Sequence, residues 1–199
     1  MTEIAQSFVI AGQTPEALAK TLMAEMLEGE VQGKSADHDF MKRLIATGAD
    51  LTVHGRYDRN PLQLAAGLRY GVIVKELISA KAPLDAQSDS DGQTALHIAA
   101  NVCDGSIVER LLEAGASPDI ADKEGKTPLD IANSQGANHQ AITAIEKAIA
   151  AKADAAARAA QAVADKQAAI KAVLDEHIAE GLPLQHKITV PRQLKLRQG

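Results

Sequence analysis

The sequence predicts an all-α solenoid, in which helix–turn–helix units with finger-like turns stack in a row and a long C-terminal helix follows. Three observations predict it. Thr94-Ala-Leu-His-Ile-Ala-Ala100 recurs 33 residues downstream as Thr127-Pro-Leu-Asp-Ile-Ala132 and 34 residues upstream as Asn60-Pro-Leu-Gln-Leu-Ala-Ala66. A period of this size marks repeats that bury their apolar faces only against their neighbours. Aromatic residues make up only 2% of the chain and Trp is absent, so the core is built of Leu, Ile, Val and Ala, which suits thin layers of short helices. Between about Asn138 and Glu180 there is neither Gly nor Pro, and the summed helix propensity of that Ala-rich window predicts one long helix.

Each element of a unit has a physical reason. Thr94, Thr127 and Asn60 sit where a side-chain oxygen can accept from the free amides of a first helical turn. Pro61 and Pro128 follow at the first helical position, where a missing N–H costs nothing. Leu62, Leu96 and Leu129 point inward. Ala65-Ala66 and Ala99-Ala100 keep this first helix slim, so that a second can approach it. That second helix carries Val74, Leu77 and Ile78 in one unit and Val108, Leu111 and Leu112 in the next, at the spacing of one apolar face. Gly48-Ala49 and Gly115-Ala116 end it with a left-handed cap. Lys81-Ala82 stands in the same place, which predicts a left-handed Lys81. The one extra residue between the second and third units is expected within Gln87–Gly92, lengthening that finger.

These signatures resemble the ankyrin repeat family, whose Thr-Pro-Leu-His helix start and Gly-Ala turn are matched closely by residues 89 to 121. The resemblance implies four units, at about 15–54, 55–88, 89–121 and 122–150. The first is degenerate: only Phe40–Ile45 and the Gly48–Leu51 turn match well. Terminal units are expected to depart from the pattern because one face meets water. The expected organisation is an extension at 1–14, repeats at 15–150, an Ala-rich helical arm at 151–180 and a basic extended tail at 181–199.

In the arm, Ile142, Ile149, Ala156, Val163, Ile170 and His177 recur every seventh residue, with Ile145, Ala159 and Val173 three places later, a partial coiled-coil seam. Lys152 and Lys166 interrupt it. The arm therefore either folds as a cap over the last repeat or self-associates through residues 142–178; an Ala seam buries little apolar area, which favours the cap. The tail holds Lys187, Arg192, Lys195 and Arg197 without an acid. Its alternating apolar residues fit a strand added to a partner's sheet, or a frayed end.

Composition excludes several classes. A formal charge of −5 argues against a nucleic-acid partner. No apolar run approaches membrane-spanning length and the first residues lack a basic signal region. The lone Cys103 suits a reducing compartment. A cytoplasmic protein is expected, with export independent of a signal peptide left open. No cofactor, metal or catalytic residue is expected: the phosphate-loop pattern ending at Gly125-Lys126-Thr127 lacks its first glycine at Ile120, and the calcium-loop pattern around Asp89 and Asp91 lacks its acid at Ile98. Histidines 38, 54, 139, 177 and 186 show no ligand spacing, and the resemblance implies a structural role for His97.

The resemblance also implies a concave binding surface made of the fingers and the inner face of each first helix. Here that surface comprises His54, Arg56, Tyr57, Arg59, Leu68, Ser90, Asp91, Gln93, Asn101, Val102, Lys123, Glu124, Lys126 and Gln135, with Tyr70 beside it. Tyr57 with Arg56 and Arg59 is the expected anchor, because Tyr and Arg are enriched at interface hot spots. The expected function is a non-catalytic adaptor or stoichiometric inhibitor that binds another protein. The alternative is an assembly protein that oligomerises through the arm.

Overall fold

The computed structural model describes residues 12–32, 37–135 and 139–179, and the expectations for the first eleven residues and for the basic tail lie outside them. It contains α1 (Pro15–Gln32), α2 (His38–Ala46), α3 (Pro61–Gly67), α4 (Gly71–Ser79), α5 (Ala95–Asn101), α6 (Gly105–Glu113), α7 (Pro128–Ser134) and α8 (His139–Ala179), with no strand among the described residues. Inner helices α1, α3, α5 and α7 pack on one another in sequence, and outer helices α2, α4 and α6 form a second row. The inner row is slim for the reason given: Ala65, Ala66, Ala99, Ala100 and Ala132 have no exposed surface. Between the rows lie Leu62, Ile73, Leu77, Leu96, Ile107 and Leu111, all buried.

The caps form as the sequence requires. The Asn60 side chain accepts from Gln63 N at 2.9 Å while Gln63 Oε1 accepts from Asn60 N at 2.8 Å, and Thr127 with Asp130 repeats this reciprocal box. Each finger closes on itself just before its cap. Gly55 N–H bonds to Arg59 O, Ser88 N–H to Gln93 O, and Asp122 N–H to Lys126 O. The middle closure spans one residue more than its neighbours, so the extra residue does lie in that finger.

The first unit differs most. Its inner helix α1 is 18 residues long against 7 in α3, α5 and α7, and it buries Leu18, Ala19, Leu22, Met23 and Met26 along one face. Thr14-Pro15 is its overlooked signal. Thr14 Oγ1 accepts from Ala17 N at 3.2 Å, which is the Thr-Pro start of α7 with the rest of the motif missing.

Lys81 takes φ 61°, in the place where Gly48 and Gly115 take 95° and 99°. A Cβ in that region costs about 1 kcal/mol. Lys81→Gly is therefore expected to stabilise the fold by about 0.5–1 kcal/mol after the added flexibility of the unfolded chain is subtracted. Urea titration reads it as a higher midpoint, and an unchanged or lower midpoint overturns it. Arg69 (φ 58°) and Cys103 (φ 57°) turn the inner-to-outer loops in the same way.

The chain divides into two compact units, at Lys152 and Ala153. In the first, the opening turns of α8 join the core: Ala141 and Ile145 are buried, Gln140 Nε2 donates to Glu109 Oε1 at 3.2 Å, and Lys152 Nζ contacts Asp119 and Ser117. In the second, residues 153–176 are exposed along their whole length, Val163, Ile170, Val173 and Leu174 included.

Candidate interaction site

Fingers are held in line by bonds from each unit to the next. In α5, His97 Nδ1 lies 3.1 Å from Thr94 N and 2.8 Å from Thr94 Oγ1, and its Nε2 lies 3.1 Å from Lys126 O in the following finger. Accepting at Nδ1 leaves Nε2–H to donate, so the ring is neutral. Burial pushes the His97 pKa down, more than the Lys126 carbonyl and the Asp122 and Asp91 charges pull it back. Gln63 does the same work one unit earlier, with Nε2 donating to Ala86 O and Gln93 O at 2.9 Å each. Asp130 occupies the equivalent position in α7 and bonds to its own cap.

A second set of bonds joins finger tips. Arg59 pairs with Asp91 at 2.6 Å and reaches Ser88 Oγ at 3.2 Å. Ser90 N donates to Asp58 Oδ2 at 2.6 Å, Lys123 N donates to Asp91 O at 2.9 Å, and Lys123 Nζ donates to Asp89 O. Burial raises the Asp91 pKa, but the bonds from Ser88, Gln93 and Arg59 and the Arg59 charge outweigh it and hold the carboxyl below its ordinary range. The Arg59 charge of the second finger and the Asp91 charge of the third thus satisfy each other.

Beside these bonds the third and fourth fingers, with α5 and α7, enclose a polar groove of about 280 Å³. Ser90, Asp91, Gln93, Asn101, Lys123, Glu124, Lys126 and Gln135 line it together, joined by Asp122, Ile131 and Ser134, which sequence reasoning had not selected. Asp122 was missed because it opens the finger rather than standing at its tip. Its carboxylate accepts from Glu124 N and Lys126 N at 2.9 Å each and sets the shape of that tip. Lys126 pairs with Glu124 at 2.8 Å, and that bond raises its pKa.

Other expected residues fall elsewhere. Tyr57 is the exposed tip of the second finger, 64% accessible, at φ 63°. Arg59 is no free anchor, because its guanidinium is engaged by Asp91 and only 18% of the side chain is accessible. Tyr70 is half-buried. Its hydroxyl donates to Met26 O at 3.2 Å and its ring meets His38 edge-on, so it packs between the first two units. Leu68 packs against the core, and the Val102 carbonyl accepts from Arg69. The Arg56 side chain lies outside the described residues.

His54, expected to lack ligand spacing, has its Nδ1 3.3 Å from Asp58, and His54, Asp58 and Asp89 bring ligand atoms within 4.8 Å of one another. Asp58 already accepts the Ser90 amide, which makes this trio a link between the second and third fingers. No helix among the described residues is long and apolar enough to cross a membrane.

A family model described as ankyrin repeats in three copies matches residues 31–122 and 72–145 of this chain. Neurogenic locus notch homolog protein 1 of Homo sapiens is 36% identical over 101 residues, 44% of this chain and 4% of that protein, and the Mus musculus protein gives the same values. The Caenorhabditis elegans homolog of transient receptor potential cation channel subfamily A member 1 is 36% identical over 91 residues, 46% of this chain and 7% of that protein. The chain thus spans under a tenth of the length of these relatives. With matched residues running from 31 to 145, capped and slim inner helices, and bonds from the second finger to the third and from the third to the fourth, the chain belongs to the ankyrin repeat family.

Proposed function

We propose that this protein is a non-catalytic binding module, an adaptor or stoichiometric inhibitor, that holds a segment of a partner protein in the groove between the third and fourth fingers. Ankyrin repeats generally mediate protein–protein interaction and are in general not catalytic. The observation that carries the reading is the groove itself, whose lining side chains project from a backbone already fixed by His97, Lys123 and Asp122. A preorganised surface loses little entropy on binding. Amides and hydroxyls from Asn101, Gln93, Gln135 and Ser90 suit the backbone of an extended peptide, and Lys123 beside Glu124 suits side chains of either charge. Tyr57 at the neighbouring finger supplies exposed aromatic area.

The test is capture of a partner from native lysate by the full chain and by two variants. Asn101→Arg with Gln135→Arg fills the groove without touching a finger-to-finger bond, and is expected to reduce retention at least tenfold while the urea midpoint stays within about 0.5 kcal/mol of the parent. Tyr57→Ala measures the second finger separately. A partner retained equally by the groove-filled variant removes the groove from the reading.

A further inference from the structure

The second compact unit presents an apolar stripe that the groove does not use. With Ala156, Val163 and Ile170 at one seam position and Ala159, Lys166 and Val173 at the other, the stripe follows a heptad. Val163 is 53% accessible, Ile170 69% and Leu174 43%, high values for large apolar side chains. All the charges of residues 153–176 except Lys166 and Glu176 fall on the three heptad positions facing away from the seam: Asp154, Arg158, Asp165, Lys171 and Asp175. We propose that this segment pairs with the same segment of a second copy of the chain, antiparallel, with residue i facing residue 329 − i.

Charge and volume both select that arrangement. In a parallel pair each seam residue meets its own copy, so Lys166 faces Lys166 in the core and Ala156 and Ala159 face themselves, leaving two thin layers. Turned antiparallel about the point between Ala164 and Asp165, Ala156 faces Val173, Ala159 faces Ile170, and Val163 faces Lys166. Each layer then sets a large side chain against a short one or against the aliphatic stem of a lysine whose ammonium reaches water. The two lysines then stand in adjacent layers, offset by three residues or about 4.5 Å along the axis, instead of facing each other in one. The flanking positions pair two residues out of that register, with Leu174 over Ala153, Gln167 beside Ala160, and Glu176 beside Ala155, so no like charges meet. Ala at most flanking positions lets the axes approach closely.

Residues 153–179 span about 40 Å of helix. An Ala-rich seam of that length falls short of the roughly 800 Å² per partner of a standard interface, so the dimer is a weak one, with a dissociation constant on the order of 10 μM.

Sedimentation velocity of the full chain between about 2 and 200 μM is expected to show the mass rising with concentration from 20.9 kDa towards twice that value. Val163→Asp with Ile170→Asp should hold it at one chain throughout, and Lys166→Leu should tighten the dimer at least tenfold. Orientation is read in a Cys103→Ser background by mixing two single-cysteine chains, Ala159→Cys and Ile170→Cys, under mild oxidation. The antiparallel pair gives the mixed disulfide in preference to either homodisulfide. A monomer at every concentration overturns the proposal and leaves the arm unpaired or folded on its own repeats. A dimer that survives the two aspartates places the contact on the repeats and overturns it equally. A preference for homodisulfides rejects the antiparallel register.

Discussion

His97→Ala is expected to lower the unfolding free energy by about 3 kcal/mol. The imidazole is fully buried and bonds on both edges, to the cap of its own helix and to the next finger. Its removal leaves the Thr94 amide without a partner and the Lys126 carbonyl with the Asp122 amide alone, and it opens a void between repeats. His97→Gln should lose no more than about 1 kcal/mol, because Gln63 makes both kinds of bond from the equivalent position. Urea midpoints measured at constant m-value decide between these outcomes. If alanine and glutamine cost the same, the bond to the next finger is not what the residue supplies.

The same residue sets a pH dependence. Its folded pKa lies below the ordinary value of 6.5, so the unfolded chain binds the proton more readily. The contribution of His97 is complete above pH 6.5 and is lost as pH falls through the depressed folded value. The midpoint of the parent is therefore expected to fall over that window relative to His97→Gln. Parallel profiles of the two chains contradict a neutral Nδ1 acceptor.

Gly92→Ala is expected to cost about 2–3 kcal/mol, for two reasons that a control separates. Gly92 takes φ 73°, and an added Cβ would stand 2.9 Å from Lys123 N, the amide that donates to Asp91 O across the fingers. Gly125 takes φ 78° with nothing within 4 Å of such a Cβ. Gly125→Ala should thus show the backbone strain alone, about 1 kcal/mol. The difference between the two alanines measures the finger-to-finger contact, and hydrogen exchange at the Lys123 amide should quicken only in Gly92→Ala. Equal losses at both glycines leave the contact without weight.

These effects lie where sequence reasoning was weakest. Most of what lies inside one unit was legible, because its signals are local: a capping side chain acts three residues away, a helix face repeats every three or four, and Lys81 announces its left-handed turn by standing where glycine stands elsewhere. Thr14-Pro15 was present and overlooked because the motif breaks off after its second residue. Bonds between units have no such local signal. Arg59 and Asp91 are 32 residues apart, and a lysine or an asparagine at either place would have read as an equally good finger. The pairing was nonetheless open to detection, since an arginine in one finger and an aspartate in the next fall at nearly the repeat distance.

The sequence by itself determined the period, the caps, the two rows of helices and the length of each finger, because short-range backbone chemistry specifies each of them. Only the tertiary structure decided what those units present to a partner. Stacking turned Arg59 from an exposed anchor into half of an inter-finger pair, drew Tyr70 between repeats, and gathered Asn101, Lys123 and Gln135 around one groove. The physical reason is that a side chain's partners across a solenoid depend on how one unit is seated on the next, and that seating is the summed result of the buried contacts between them.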